Sequence, residues 1–187
     1  ASQVPDLLRQ LTAEAVRGDS DLYVGFPTLD TRGERYFNSL LLLGADPQTY
    51  DKRHLVPFGE FTPLAFILGR FARLLNIPMS NFSPGDQEQP LLRGRHAATG
   101  VSICYEDAFG EEVIQALPEA GLLINVSNDG WFGDSAAPHQ HLQMARMRAR
   151  ETGRYLLRAT NSGISAIIDP AGRVRAQAPQ FLPIVLT

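Results

Sequence analysis

Apolar and polar positions alternate along this chain with two different periods. Val4 to Val16 carries apolar residues at helical spacing and stops near Gly18, which predicts an amphipathic helix. "DLYVGFP" (Asp21 to Pro27) and "YFNSLLLLG" (Tyr36 to Gly44) are rich in aliphatic and aromatic residues. They flank the turn signal "DTRGE", so each predicts a strand. The stretch "ADPQTYDKRHLVPFGEF" reads as loop. A second amphipathic helix is expected over about Thr62 to Leu75, ended by Asn76 and Pro78.

The second half repeats the alternation. His96 to Cys104 and Gly121 to Asp129 predict strands, and Gly110 to Leu117 a helix. Ala136 to Gly153 predicts a long helix with Ser135 as its cap, Met144 and Met147 on its core stripe and Gly153 as its stop. Tyr155 to Ala159, Ile164 to Ile168 and Val174 to Ala178 predict strands, the last two joined by the turn "DPAGR". Strands alternating with helices define an α/β fold, and the hairpins make its sheets mixed. Cys104, Asn128 and Asn161 each fall where an apolar strand gives out, the usual place for a site in such folds.

Composition narrows this picture in a few places. The chain has 187 residues, 44 % hydrophobic and 20 % charged, which suits one soluble domain with a sizeable core. A net charge of -3 gives no electrostatic reason for a nucleic-acid partner. No apolar run approaches the roughly 18 residues of a membrane span. The N-terminus "ASQVPDLLRQ" lacks the basic and apolar segments of a signal peptide. Opening in a helical pattern and stopping at "FLPIVLT", the chain reads as a piece excised from a longer protein. Sixteen of the 17 basic residues are arginine, and Lys52 is the one lysine. Where arginine serves everywhere else, a retained lysine marks a position suited to a compact ammonium.

The single cysteine sits in "GVSICYEDAFGEEV", between an apolar run and a pair of acids. A thiol at a strand end, followed by a turn, is held on an elbow where its sulfur is accessible and the next backbone N–H can face a developing oxyanion. The alternative is a small buried hydrophobe. Glu106 argues against burial, since an unpaired carboxylate is costly in a core. "YDKRHLVPFGEFTP" brings Lys52 and Glu60 close together in a proline-stiffened loop, as a fixed positive charge and an orienting acceptor, or as an incidental surface ion pair. His139 and His141 stand two apart on a helix and do not face each other. With no HExxH and no thiolate pair, no metal site is expected.

Four segments, "YDKRHLVPFGEFTP", "GVSICYED", "NVSNDGWFGDSAAPHQHLQMARMRA" and "RYLLRATNSGISAIIDPAGRV", occur in this order and cover most of the chain from Tyr50 onward. Together they resemble the nitrilase superfamily of carbon–nitrogen hydrolases, and more narrowly its apolipoprotein N-acyltransferase branch. The resemblance implies an α-β-β-α sandwich spanning residues 1–187. It makes Cys104 the nucleophile that becomes S-acylated, Lys52 the lysine that stabilises the oxyanion and Glu60 a supporting glutamate, with Tyr105 and Glu106 needed beside the nucleophile. The family's general base is a further glutamate with no matching position here, and its flanking transmembrane helices are also unmatched. The chain is therefore expected to be part of a periplasmic catalytic domain of a bacterial inner-membrane enzyme.

That family moves an acyl group from a phospholipid, through a cysteine thioester, to the N-terminal amine of a diacylglyceryl apolipoprotein. No cofactor is called for. Phe61, Phe66, Phe71 and Trp131 become candidates for the lipid-access surface, Phe66 and Phe71 because their segment holds more apolar residues than one narrow stripe needs. A soluble amidase with the same nucleophile, or a non-catalytic interaction domain of the same fold, are the competing readings.

Overall fold

The computed structural model describes residues 3–30, 32–57, 59–61 and 82–187. The helix expected over 62–75, with Phe66 and Phe71, lies outside the described residues. Helix α1 (Gln3–Arg17) ends where Gly18 N donates to Glu14 O at 2.8 Å and the chain turns into β1 (Leu22–Leu29). β1 pairs antiparallel with β2 (Tyr36–Leu43), and β2 pairs antiparallel with β3 (Gln48–Asp51). Alternation along β2 divides its side chains between two neighbours. Leu40 and Leu42 point to a second sheet, while residues of the opposite parity, among them Phe37 and Leu43, lie on the side where α1 rests.

The second sheet has the order β4 (Leu92–Arg93), β5 (Ala98–Ile103), β6 (Ala120–Asn128), β7 (Tyr155–Asn161), β8 (Ala166–Ile168) and β9 (Val174–Gln177). Its centre, β5–β6–β7, is parallel, and its flanks are antiparallel. Between β5 and β6 lies the short helix α2 (Gly110–Val113); between β6 and β7 lies α3 (Ala137–Thr152). Gly153, with φ +64, supplies the left-handed residue that stops α3.

Two cores hold these layers together. Leu40, Leu42, Tyr50, Leu92, Ile103 and Ile124 close the space between the sheets. Leu123, Leu156, Ile164, Ala166 and Ile168 meet Leu142, Ala145 and Ala149 of α3 on the other face. A fully buried leucine such as Leu40 contributes on the order of 1.5–3 kcal/mol by leaving water. The layers are helix, sheet, sheet and helix, the sandwich expected from the sequence.

Four local expectations need correction. The stretch read as loop contains β3, which has little apolar periodicity of its own and owes its form to pairing with β2. The helix expected over 110–117 is a single α-turn followed by a 3-10 turn at Ile114–Ala116. Ala136, not Ser135, is the N-cap of α3, although Ser135 Oγ still accepts a hydrogen bond from Ala137 N at 3.3 Å. Met144 and Met147 are 39 % and 55 % exposed, because the face of α3 turned to the sheet is His141, Leu142, Ala145, Arg148, Ala149 and Thr152.

Candidate active site

β5, β6 and β7 run parallel, so their carboxyl ends open on one edge of the sheet. Ile103 lies beside Val126, and Asn128 beside Asn161, which lines up Cys104, Asn128 and Asn161 at successive strand ends. Cys104 begins a 3-10 turn, Cys104–Ala108, and has φ +54. Left-handed backbone at a residue with a Cβ costs about 1–2 kcal/mol, so the elbow read from sequence is a strained one. Replacing the side chain measures that strain. Cys104→Gly is expected to unfold about 0.5–1 kcal/mol later than Cys104→Ala, after allowing for glycine's greater freedom in the unfolded chain. Equal stability in thermal unfolding would remove the strain.

Glu106 ties this elbow to the lysine loop. Its Oε2 accepts from Ile103 N (2.8 Å) and Tyr50 OH (3.1 Å), and its Oε1 accepts from Arg53 N (2.6 Å) and His54 N (3.2 Å). Ile103 precedes Cys104 and Arg53 follows Lys52, so one carboxylate holds the neighbours of both residues. The sequence argument that Glu106 opposes burial is overturned, since Glu106 is itself buried. Four hydrogen-bond donors meet the need that burial creates. Burial still pushes its carboxyl above the usual carboxylate value, against the pull of the amides of Ile103, Arg53 and His54 and of the Lys52 charge.

Lys52 is 0 % exposed, and its Nζ donates to Glu60 Oε2 at 2.6 Å. Glu60 is fixed in turn by Asn38 Nδ2 on Oε1 (2.8 Å) and Val56 N on Oε2 (2.8 Å). Asn38, Leu40 and Leu42 share the face of β2 turned to the second sheet, and Tyr50 and Lys52 share the matching face leading out of β3. Alternation thus delivers the ammonium to the space between the sheets, where Cys104 is packed against the same core. Lys52 is paired with Glu60, and Glu106 ties their loop to the backbone beside Cys104. Phe61 follows Glu60 and is half-buried.

A second polar group lies under the elbow on the α3 side. Arg158 is fully buried at the side chain and faces Asp129 (3.0 Å) and Asp107 (3.5 Å). Asn125 joins it, and Ser102 Oγ donates to Asp107 at 2.5 Å. Ser127 Oγ donates to Asp129 at 2.6 Å. Burial alone would raise the Asp129 carboxyl, but hydrogen bonds from His141 and Ser127 and the Arg158 charge bring it below its usual value. Burial wins at Asp107, whose carboxyl is raised despite Arg158 and Ser102. Gly163 closes over this group, and a Cβ there would run into the Asp129 carboxylate. Sequence reasoning missed the cluster. A usable signal was the parity of β7, where Arg158 shares the buried face of Leu156.

The rim is apolar. Trp131 is 76 % exposed, and Tyr105 and Phe132 are exposed beside the elbow and its neighbouring turn. A recess of about 330 Å³ adjoins the end of β7, bounded by Asn161, Ser162, Phe181, Leu182 and Ile184. A larger one of about 390 Å³ opens beside β4 and β5, next to Tyr50 and Arg53, and neither recess is lined by Cys104. His139 is exposed and faces Gln180, away from buried His141. Among the described residues no group of His, Cys, Asp and Glu is placed to hold a metal ion.

The site thus sets an elbow-borne cysteine and a buried lysine–glutamate pair on a two-sheet sandwich. The carbon–nitrogen hydrolase family model matches residues 5–187, and the chain belongs to that family. Among curated proteins it is 53 % identical to the apolipoprotein N-acyltransferase of Methylococcus capsulatus over 180 residues, which cover 96 % of this chain and 36 % of that protein. It is 50 % identical to the enzyme of the same name from Nitrosomonas europaea, with the same coverage. The chain thus spans about a third of the length of these relatives. Among solved structures, a carbon–nitrogen hydrolase from Helicobacter pylori G27 aligns with a TM-score of 0.73 at 16 % identity, over 94 % of this chain and 64 % of that one. Nit3 of Saccharomyces cerevisiae, a member of branch 10 of the nitrilase superfamily, aligns at 0.69 and 21 % identity, over 92 % of this chain and 60 % of that one. These likenesses show the fold.

Proposed function

We propose that the chain carries catalytic machinery of an apolipoprotein N-acyltransferase, working by two acyl transfers through Cys104. The observation that carries the reading is the Glu106 clamp, in which one carboxylate bonds the backbone next to the strained cysteine elbow and the loop amides that follow the buried lysine. The Cys104 thiolate attacks the ester carbonyl of a phospholipid, forming a tetrahedral oxyanion. The C–O bond to the glycerol breaks, the thioester remains, and the lysophospholipid leaves with a proton. The N-terminal amine of a diacylglyceryl apolipoprotein then attacks the thioester. The C–S bond breaks, an amide forms, the amine gives up one proton in place of the one the lysophospholipid carried off, and the thiolate returns.

Lys52 and Tyr105 N–H stabilise the oxyanion in each half-reaction, while Glu60 holds the Lys52 ammonium and Glu106 joins loop to elbow. The exposed aromatic residues Trp131 and Phe132 support a lipid donor over a small amide, as does the half-buried Phe61 beside Glu60. A thioester also survives longer where water is excluded. The working place we infer is the periplasmic side of a bacterial inner membrane. No helix among the described residues is long and apolar enough to cross a membrane.

Intact-mass measurement tests the reading on the protein expressed from its natural gene. Incubation with phosphatidylethanolamine is expected to add one acyl mass at Cys104, absent in Cys104→Ala and discharged by a diacylglyceryl-cysteine peptide. An acyl mass that water removes as fast as the peptide does would favour a hydrolase instead.

A further inference from the structure

His141 is the buried group that the mechanism leaves unused. It projects from α3 to the underside of the elbow, where its Nε2 lies 3.0 Å from the backbone carbonyl oxygen of Cys104. Its Nδ1 lies 3.1 Å from Asp129 Oδ1, a carboxylate already bound by Ser127 and Arg158. A carbonyl oxygen can only accept, so Nε2–H donates in the contact with Cys104. Phe132 packs edge-on against the ring, 6.4 Å between centroids, on the rim side.

The carbonyl of Cys104 and the N–H of Tyr105 belong to one planar trans peptide, so they point in opposite directions. Whatever anchors the carbonyl aims the amide. Tyr105 occupies the second position of the 3-10 turn, where the helix itself offers its N–H no acceptor. The positive φ of Cys104 marks strained backbone next to this peptide, so its setting depends on what its surroundings bond. His141 grips the buried end. Arg158 and Ser127 hold Asp129, and Asp129 holds His141, so the grip rests on a buried ion-pair cluster rather than on the exposed rim.

We propose that His141 is a positioning residue: by donating to the Cys104 carbonyl, it locks the 104–105 peptide so that the Tyr105 N–H faces the oxyanion of both acyl transfers. The inference rests on the acyl-transfer reading of Cys104 and adds the residue that sets its backbone donor. Since an oxyanion donor is worth about 10²–10³ in rate, losing its aim is expected to cost a comparable factor.

The test separates oxyanion chemistry from the reactivity of the thiol. In the protein expressed from its natural gene, His141→Phe is expected to slow Cys104 acylation by a p-nitrophenyl ester about 10²–10³-fold. Alkylation of Cys104 by iodoacetamide, which passes through no oxyanion, should stay within about threefold. His141→Gln, whose side-chain amide can still donate to the carbonyl, should recover most of the ester rate. Equal ester rates in all three proteins would overturn the proposal. So would a parallel loss of alkylation in His141→Phe, which would make His141 a support of the elbow as a whole. A wild-type protein acylated by the p-nitrophenyl ester and not by phosphatidylethanolamine would sink the lipid donor and leave the His141 comparison standing.

Discussion

Lys52→Met is expected to lower the rate of Cys104 acylation by about 10²–10³ while the protein stays folded. The ammonium is wholly buried, so its charge acts with little screening from water on any oxyanion formed beside it. Folding should tolerate the change, because Glu60 keeps two other donors, Asn38 Nδ2 and Val56 N, and remains partly accessible. Lys52→Arg should fail nearly as badly. A planar guanidinium does not fit a closed slot whose partner lies 2.6 Å from a compact Nζ. Single-turnover acylation, followed by mass, reads both variants, and an arginine variant within a few-fold of wild type would defeat this account of the lysine.

Arg158→Met should be the most damaging change to the fold, at about 3–5 kcal/mol, because it leaves two buried carboxylates without their cation. The pH dependence carries a definite sign. Asp129, held below its usual value, stabilises the wild-type protein above the ordinary carboxylate range, and that contribution is lost as pH falls through its lowered pKa. Asp107, raised by burial, works the other way, and its penalty eases as pH falls through its raised pKa. Without Arg158 both carboxyls take up protons more readily. The stability gap between variant and wild type should therefore narrow from pH 7 to pH 5 in chemical denaturation. A gap that widens in acid would contradict the pairing.

Much of the architecture was legible in the sequence because apolar spacing sets which face of each strand is buried. The elbow was legible too, since Cys104 falls where an apolar run ends, and Lys52 stood out as the lone lysine. What stayed hidden was contact across long separations. Asn38 and Glu60 are 22 residues apart, and Glu106 reaches loop amides more than 50 residues away. Nothing local in "CYED" says that its first acid will be buried and fully bonded rather than solvated. The methionines of α3 misled for the opposite reason. Apolar side chains at helical spacing read as core, yet the buried face of α3 also carries the polar His141 and Arg148.

Trp131 is the one tryptophan in the chain, and it stands mostly in solvent, two residues past Asp129 in the same turn. The indole emission of this chain therefore reports from a single address at the mouth of the crevice. If the proposed reaction draws its acyl tail past this residue, the tail would be seen optically without any added label.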